Sequence, residues 1–220
     1  MTRRLDIISS QHSFQFTRRW FRERNLETFR EYVHPEWKDE PINYLELGVF
    51  EGQSMTWMMQ HVLTHEDARS VGVDPWLVTR KMSGEDMEDV MQRARHNLSP
   101  WTSIEVKKSK ADLRKCTLIR GTSSEVLRRM LHRRGEWGMK KENVDLCMVD
   151  GSHYELLVLD DARLCSQLLK PGGWMLFDDV ENDKTKMFHV KQGLAMFLDE
   201  EPRMKLLWKH RYMEAYQKGE

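Results

Sequence analysis

The chain has 220 residues and a mass of 26.4 kDa, enough for one domain with a full core and too short for two large ones. Apolar residues make up 40% and charged residues 32%, with a mean hydropathy of −0.70, and no stretch approaches the ~20 uncharged apolar residues of a membrane-spanning helix. Thirty-five Lys and Arg balance thirty-five Asp and Glu, which argues against a chain that holds nucleic acid through bulk charge.

The chain begins Met1-Thr-Arg-Arg-Leu-Asp-Ile-Ile-Ser-Ser, with no apolar run of roughly 7–15 residues behind its basic start. No secretory signal is therefore expected, and a cytoplasmic location is. Residues 12–33 read as an amphipathic helical cap with Phe16, Trp20, Phe21, Phe29, Tyr32 and Val33 on its apolar side. Pro35 and Pro41 should break it, because proline disfavours helix at the residue before it. Asn43–Leu47 is a strand closed by Gly48. Met55, Met58, Met59 and Val62 then fall on one face of a helix and, with Trp57 and Trp174, read as core.

A second strand is expected at 71–74, a polar helix at 85–97 stopped by Ser99-Pro100, and a third strand at 117–120. A helix over 123–134 should bury Val126, Leu127, Met130 and Leu131. Val144–Val149 is almost continuously apolar, as suits a central parallel strand covered on both faces. The next helix carries Val158, Ala162, Cys165 and Leu169 and stops at Lys170-Pro-Gly-Gly. Strand five lies at 174–177, a helix at 184–198, and residues 204–209 with 212–217 form a closing antiparallel hairpin. This alternation means a parallel sheet with helices on both faces, here with a cap (1–41) before the main domain (42–220). Ligands of such sheets lie at the carboxyl ends of the strands.

The three cysteines, Cys116, Cys147 and Cys165, are unpatterned and fit reduced thiols. Charge is unevenly spread: residues 107–141 hold twelve bases against three acids, and residues 145–201 hold twelve acids against five bases. Two solvated faces are the plain reading, and a basic patch for an anionic polymer is the rival. His61 and His65 have a metal-like spacing but no third partner, and read as surface.

Chemistry concentrates just after the strands. In Leu45-Glu-Leu-Gly-Val-Phe-Glu-Gly-Gln-Ser54 the second glycine of a dinucleotide fingerprint is replaced by Phe50. Gly48 and Gly52 still bracket a tight turn where a ligand can approach the backbone, and the amides of the following helix, with Ser54, suit an anion. Asp74 ends strand two about 20 residues beyond that turn, a separation at which a carboxylate accepts bonds from both ribose hydroxyls. Pro75 and Trp76 would wall the nucleoside.

In order, Leu-Glu-Leu-Gly-x-x-x-Gly-x-Ser, Gly-Val-Asp-Pro, Val-Asp-Gly-Ser-His-Tyr and Leu-Leu-Lys-Pro-Gly-Gly-Trp-Met-Leu-Phe-Asp-Asp resemble a class I S-adenosylmethionine-dependent methyltransferase. Within that group the chain is similar to the small-molecule O-methyltransferases of the catechol and macrolide-sugar type. The resemblance implies a Rossmann-like, doubly wound α/β sheet of seven strands, ordered 3-2-1-4-5-7-6 with strand seven antiparallel. It also implies that Glu46, Gly48 and Ser54 lie along the methionine end of the cofactor and Asp74 at its ribose. After strand three this chain departs from the pattern: Gly121-Thr-Ser-Ser124 stands where an acid often meets the adenine amine, leaving Thr122 or Ser123 for the base. Residues 101–116 read as an insertion.

Asp150 ends strand four, and Asp178 and Asp179 end strand five. Three converging carboxylates repel unless a cation or proton neutralises them, and an all-oxygen set suits Mg²⁺. Metal-dependent relatives hold their ion at these motif positions. His153, three residues after Asp150, is a general base, a further ligand or a helix-start residue bonded to backbone. The expected activity is Mg²⁺-assisted methyl transfer from S-adenosylmethionine to a hydroxyl of a sugar, polyketide or phenol, with His153 and Asp150 catalytic and Asp150 also beside the cofactor. No membrane partner is expected, and a homodimer is allowed. The rivals are a methyltransferase acting on RNA and a cofactor-binding module without catalysis.

Overall fold

The computed structural model describes residues 12–78, 84–102, 115–132, 136–181 and 189–220. Seven strands, β1 (Asn43–Leu47), β2 (Arg69–Asp74), β3 (Cys116–Arg120), β4 (Val144–Val149), β5 (Leu169–Phe177), β6 (Met204–His210) and β7 (Met213–Lys218), form one sheet ordered β3-β2-β1-β4-β5-β7-β6. The pairs β2–β3, β1–β4 and β4–β5 are parallel, and β7 runs antiparallel to both β5 and β6. The five main helices are α1 (Gln53–His61), α2 (Met87–Thr102), α3 (Ser123–His132), α4 (Glu155–Leu168) and α5 (Val190–Glu200). The expected strand order and the closing hairpin are both present. The chain divides into two compact units, residues 1–42 with 49–121, and residues 43–48 with 122–220.

In the first unit the cap helix starts later and ends later than its sequence suggests. Residues 12–19 are extended or irregular, and helical turns run from Phe21 to Trp37, partly of the wider i→i+5 type. Phe21, Asn25, Thr28, Phe29 and Val33 face inward, while Phe16 and Tyr32 are half-buried and Trp20 is exposed. Pro35 does not break the helix. A proline ring clashes with the carbonyl four residues back in a regular helix, and here a wide turn, with His34 N–H donating to Phe29 O, stands ahead of it.

Pro100 likewise lies inside α2 rather than past its end. Its missing N–H would orphan the His96 carbonyl, and the Ser99 hydroxyl donates to that oxygen at 2.8 Å. Freed of that stop, α2 buries Met87, Val90, Met91, Ala94, Leu98 and Trp101, so it is amphipathic rather than merely polar. Met55, Met58 and Met59 of α1 are buried, and Trp57 packs edge-on to Phe29 with centroids 5.8 Å apart. His61 ends α1 and His65 lies beyond it, so the pair shares no helical face.

In the second unit β4 is buried between β1 and β5, with Leu45 opposite Cys147 and Cys147 opposite Met175. On α4, Val158, Leu159, Ala162, Leu164, Cys165 and Leu168 are buried; full burial of such a side chain contributes about 1.5–3 kcal/mol. Leu169 is buried as well, but as the first residue of β5. Helix α3 ends at His132 and leaves Leu131 half-buried, and the helix expected at 184–198 is described from Val190 to Glu200, since 182–188 lie outside the described residues. Most of the supposed insertion, 103–114, also lies outside them.

Candidate functional site

The first unit carries the turn that leads into α1. Gly52 has φ +76° and caps α1 from the left-handed region, and Phe50 sits there too at φ +50°. A phenylalanine in that conformation is strained and needs outside support. Asp74 supplies it. Its Oδ2 accepts the N–H groups of Val49 and Phe50, both at 2.9 Å, and its Oδ1 accepts the Trp76 N–H at 2.7 Å. The Trp76 indole N–H in turn donates to Phe50 O at 2.9 Å.

Asp74 and Trp76 are therefore buried fasteners of the turn, and Pro75 between them is half-buried. Burial pushes the Asp74 carboxyl pKa up, and its three backbone donors pull it back down. A carboxylate oxygen accepts about two hydrogen bonds, so Oδ2 is filled and Oδ1 keeps one acceptor position. The acceptor position that Asp74 keeps for a further donor therefore lies on Oδ1. Ser54 is half-buried in the first turn of α1.

Sequence reasoning missed Glu51. This carboxylate is 2% exposed, and it accepts the Thr17 N–H at 2.8 Å, the Thr17 hydroxyl at 2.7 Å and Arg93 Nε–H at 2.6 Å. Asn97 Nδ2 bridges the carbonyls of Glu51 and Gln15, each at 2.9 Å, while Gln15 N–H donates to Asn97 Oδ1. Trp20 leans on Phe50 with ring centroids 4.9 Å apart. Residues 12–20 are a strap fastened to the glycine turn and to α2. The signal available in the sequence was an acid inside a glycine turn, followed by no basic residue close enough in sequence to pair with it.

The second unit holds the exits of β1, β4 and β5. Gly48 has φ +87°, and a Cβ there would lie 2.0 Å from the Asp150 carbonyl oxygen, so only glycine fits. Asp150 N–H donates to Leu47 O at 2.9 Å. Glu46 is fully buried and accepts the Tyr44 hydroxyl at 2.6 Å; burial and this carboxylate hold the Tyr44 pKa well above the usual phenol range.

His153 stands between two acids. Its Nε2 is 3.8 Å from Asp150 Oδ1, and its Nδ1 is 3.6 Å from Asp179 Oδ2. The His153 carbonyl accepts the His189 N–H at 3.0 Å, which fixes its backbone. Asp178 and Asp179 are each 7% exposed, and Asp179 has φ +57°.

The expected metal set of Asp150, Asp178 and Asp179 is not assembled as an ion site. Among the described residues no three His, Cys, Asp or Glu side chains are grouped to hold an ion. Both acids lie past the end of β5, and Asp179 turns into the left-handed region at φ +57°, so the strand's alternation does not set where their carboxylates meet. The imidazole of His153 instead faces two of the three acids.

After β3, Thr122 caps α3: its carbonyl accepts Val126 N–H at 3.0 Å and its hydroxyl accepts Glu125 N–H at 3.3 Å. The Ser123 hydroxyl points inward and donates to Asp161 Oδ1 on α4. Asp161, also missed from sequence, is 2% exposed, and burial raises its pKa from 3.8 to about 6.

The basic segment is not a uniform solvated face. Lys115 is 1% exposed and donates to His65 O, and burial lowers its pKa to about 8. Arg120 pairs with Glu88, Arg128 with Asp160, and the Arg129 guanidinium lies 4.8 Å from the Trp137 ring centroid. Lys107, Lys108, Lys110, Arg114, Arg133 and Arg134 lie outside the described residues. No helix among the described residues is long and apolar enough to cross a membrane.

Comparison with known proteins bears on the family and the fold. Residues 45–180 match the family described as "Methyltransferase domain". No curated protein matches the chain. Among solved structures, the chain is similar to an O-methyltransferase from Bacillus cereus in complex with SAH, at TM-score 0.56 and 16% identity over 98% of this chain and 89% of that one. It is also similar to a structure described as an rRNA-methylase candidate from Clostridium thermocellum, at TM-score 0.59 and 12% identity over 90% and 97% of the two chains. A third is MycE of the mycinamycin biosynthetic pathway, in complex with Mg and SAH, at TM-score 0.54 and 18% identity over 98% of this chain and 54% of MycE. With the family match running from within β1 to just past β5, and with the seven strands in the methyltransferase order, this chain belongs to the methyltransferase-domain family.

Proposed function

We propose that the chain transfers a methyl group from S-adenosylmethionine to a hydroxyl of a small molecule such as a sugar, polyketide or phenol. The observation that carries this reading is His153 held between Asp150 and Asp179 at the exits of β4 and β5. In folds of this class, ligands gather at such strand ends. The complexes of the Bacillus and MycE structures with SAH support the choice of cofactor.

The cofactor-facing residues are assigned unit by unit. On the first, the free acceptor position of Asp74 Oδ1 suits a ribose hydroxyl, Gly52 and Ser54 open the start of α1, and Pro75 and Trp76 back the Asp74 loop. On the second, Gly48 lets the Asp150 backbone close against the exit of β1, Glu46 offers a buried carboxylate for an ammonium, and Thr122, Ser123 and Asp150 complete the set. Bound S-adenosylmethionine supplies an electrophilic methyl group whose departure leaves a neutral thioether.

The chain's own task is to align the acceptor oxygen and remove its proton. With its proton on Nδ1, the nitrogen nearer Asp179, the less exposed acid, His153 keeps Nε2 as the base. Nε2 takes the hydroxyl proton as the new C–O bond forms, and Asp150 and Asp179 stabilise the imidazolium. Loose approach distances before substrate arrives are ordinary for such groups.

The Mg²⁺-assisted form of this reading rests on the MycE complex and on the oxygen-only donors Asp150, Asp178 and Asp179. Their present arrangement does not fit an ion, so no step is routed through one. The decisive experiment is methyl transfer from labelled S-adenosylmethionine to a panel of hydroxylated small molecules, with EDTA and with Mg²⁺. Transfer to none of them, but to RNA, would establish the polymer reading instead; the ion pairs of Arg120 and Arg128 and the burial of Lys115 favour the small acceptor.

A further inference from the structure

Asp161 is the least expected charged group in the second unit. It lies on the buried face of α4 beside Ala162 and Cys165, where an apolar residue would fill the space at no electrostatic cost. Its Oδ1 accepts the Ser123 hydroxyl proton, and its Oδ2 is buried with no hydrogen-bond partner among the described residues. That Oδ2 lies 3.7 Å from where a Cβ on Gly151 would stand, beside the glycine that follows Asp150.

The consequence falls on Ser123. A serine hydroxyl has one proton to donate and two lone pairs that accept. With the proton directed at a buried carboxylate, the hydroxyl has only lone pairs left for any other partner. The Thr122 hydroxyl is engaged differently: it accepts the Glu125 N–H and caps α3.

We infer that Asp161 is a positioning residue that turns Ser123 into an obligate hydrogen-bond acceptor, so that the site selects an amino-bearing base and rejects its deaminated, carbonyl-bearing counterpart. This rests on the reading that Ser123 meets the adenine of the cofactor. An exocyclic amine donates to such a hydroxyl. A carbonyl in the same place sets lone pair against lone pair with no proton between them, and the loss of a buried bond is costly.

The test is calorimetric titration of the full chain with S-adenosylhomocysteine and with S-inosylhomocysteine, in which a carbonyl replaces the exocyclic amine and the ring N1 gains a proton. The wild-type chain should bind the adenine compound roughly tenfold or more tightly, a difference of about 1.4 kcal/mol. Ser123→Ala and Asp161→Ala should each bring the two affinities within about threefold, since one lacks the hydroxyl and the other frees its proton to rotate. A merely structural role for Asp161 would weaken both compounds equally and leave their ratio intact; that result overturns the inference. Equal binding by the wild-type chain overturns it too, and Ser123→Ala decides the matter if Asp161→Ala does not fold. Failure to bind S-adenosylhomocysteine at all would instead overturn the cofactor reading itself.

Discussion

The Thr17 hydroxyl donates to Glu51 Oε1 at 2.7 Å, joining an N-terminal strap to the glycine turn thirty-four residues later in sequence. The same carboxylate receives Arg93, so one buried acid holds the strap, the turn and α2 together. Glu51→Ala would leave Arg93, which is only 21% exposed, without its carboxylate and strip the acceptor from two Thr17 donors. The expected loss is about 2–4 kcal/mol of unfolding free energy in urea titration. Thr17→Val should cost about 1 kcal/mol, and a null effect of Glu51→Ala would mean that the strap contributes nothing to stability.

Asp74→Ala removes the acceptor of three backbone N–H groups and, with it, the support of Phe50 at positive φ. Affinity for S-adenosylhomocysteine should fall by ~1.5–3 kcal/mol, with a drop in melting temperature alongside. A loss of affinity with unchanged melting temperature would show that the carboxylate serves the ligand and not the turn.

Asp161 gives a pH dependence with a definite sign. Its pKa is raised from 3.8 to about 6 by burial, with Asp160 adding to the rise and Ser123 opposing it. The folded chain therefore holds a proton that the unfolded chain has already released between those values. Stability is undiminished by this group below pH 3.8 and falls as pH rises through about 6, by an amount on the order of 3 kcal/mol. Asp161→Asn should raise unfolding free energy by about 1–3 kcal/mol at pH 7.5 and by almost nothing near pH 4. An equal effect at both pH values would contradict the assignment.

His153→Ala should lower kcat by ~10²–10⁴-fold if Nε2 is the base, with little change in cofactor affinity. Asp150→Asn and Asp179→Asn should each lower kcat as well, because each removes a charge that stabilises the imidazolium. Activity that survives EDTA would support this metal-free route, and activity that is lost and then restored by Mg²⁺ would show that the acids rearrange around an ion.

Changing Arg128 and Arg129 to Gln should leave turnover of a small neutral acceptor and cofactor affinity within about twofold, because these side chains pair with Asp160 and Trp137 at the surface. Loss of turnover on a small acceptor would show that α3 takes part in substrate binding.

The sheet was legible because apolar runs such as Val144–Val149 alternate with helical faces such as Met55, Met58 and Met59, and both periods survive in the structure. The carboxylates and His153 were legible because a parallel sheet places residues after its strands at one edge. Helix ends were less so. Pro35 and Pro100 look like stops, yet a wide turn and the Ser99 hydroxyl relieve them, and neither device has a period. The second function of Asp74, as fastener of its neighbour's turn, depends on where Val49 and Phe50 amides point, which spacing alone does not encode. Asp161 and Glu51 were hidden because each acid finds its partner in another element, Ser123 on α3 and Thr17 on the strap.

Gly48 makes the ends of β1 and β4 a single mechanical joint. Its missing side chain lets the Asp150 carbonyl rest against the backbone, and the Asp150 amide closes the same contact onto Leu47. Any side chain at position 48 would therefore part the two strand ends and displace the Asp150 backbone, three residues from His153.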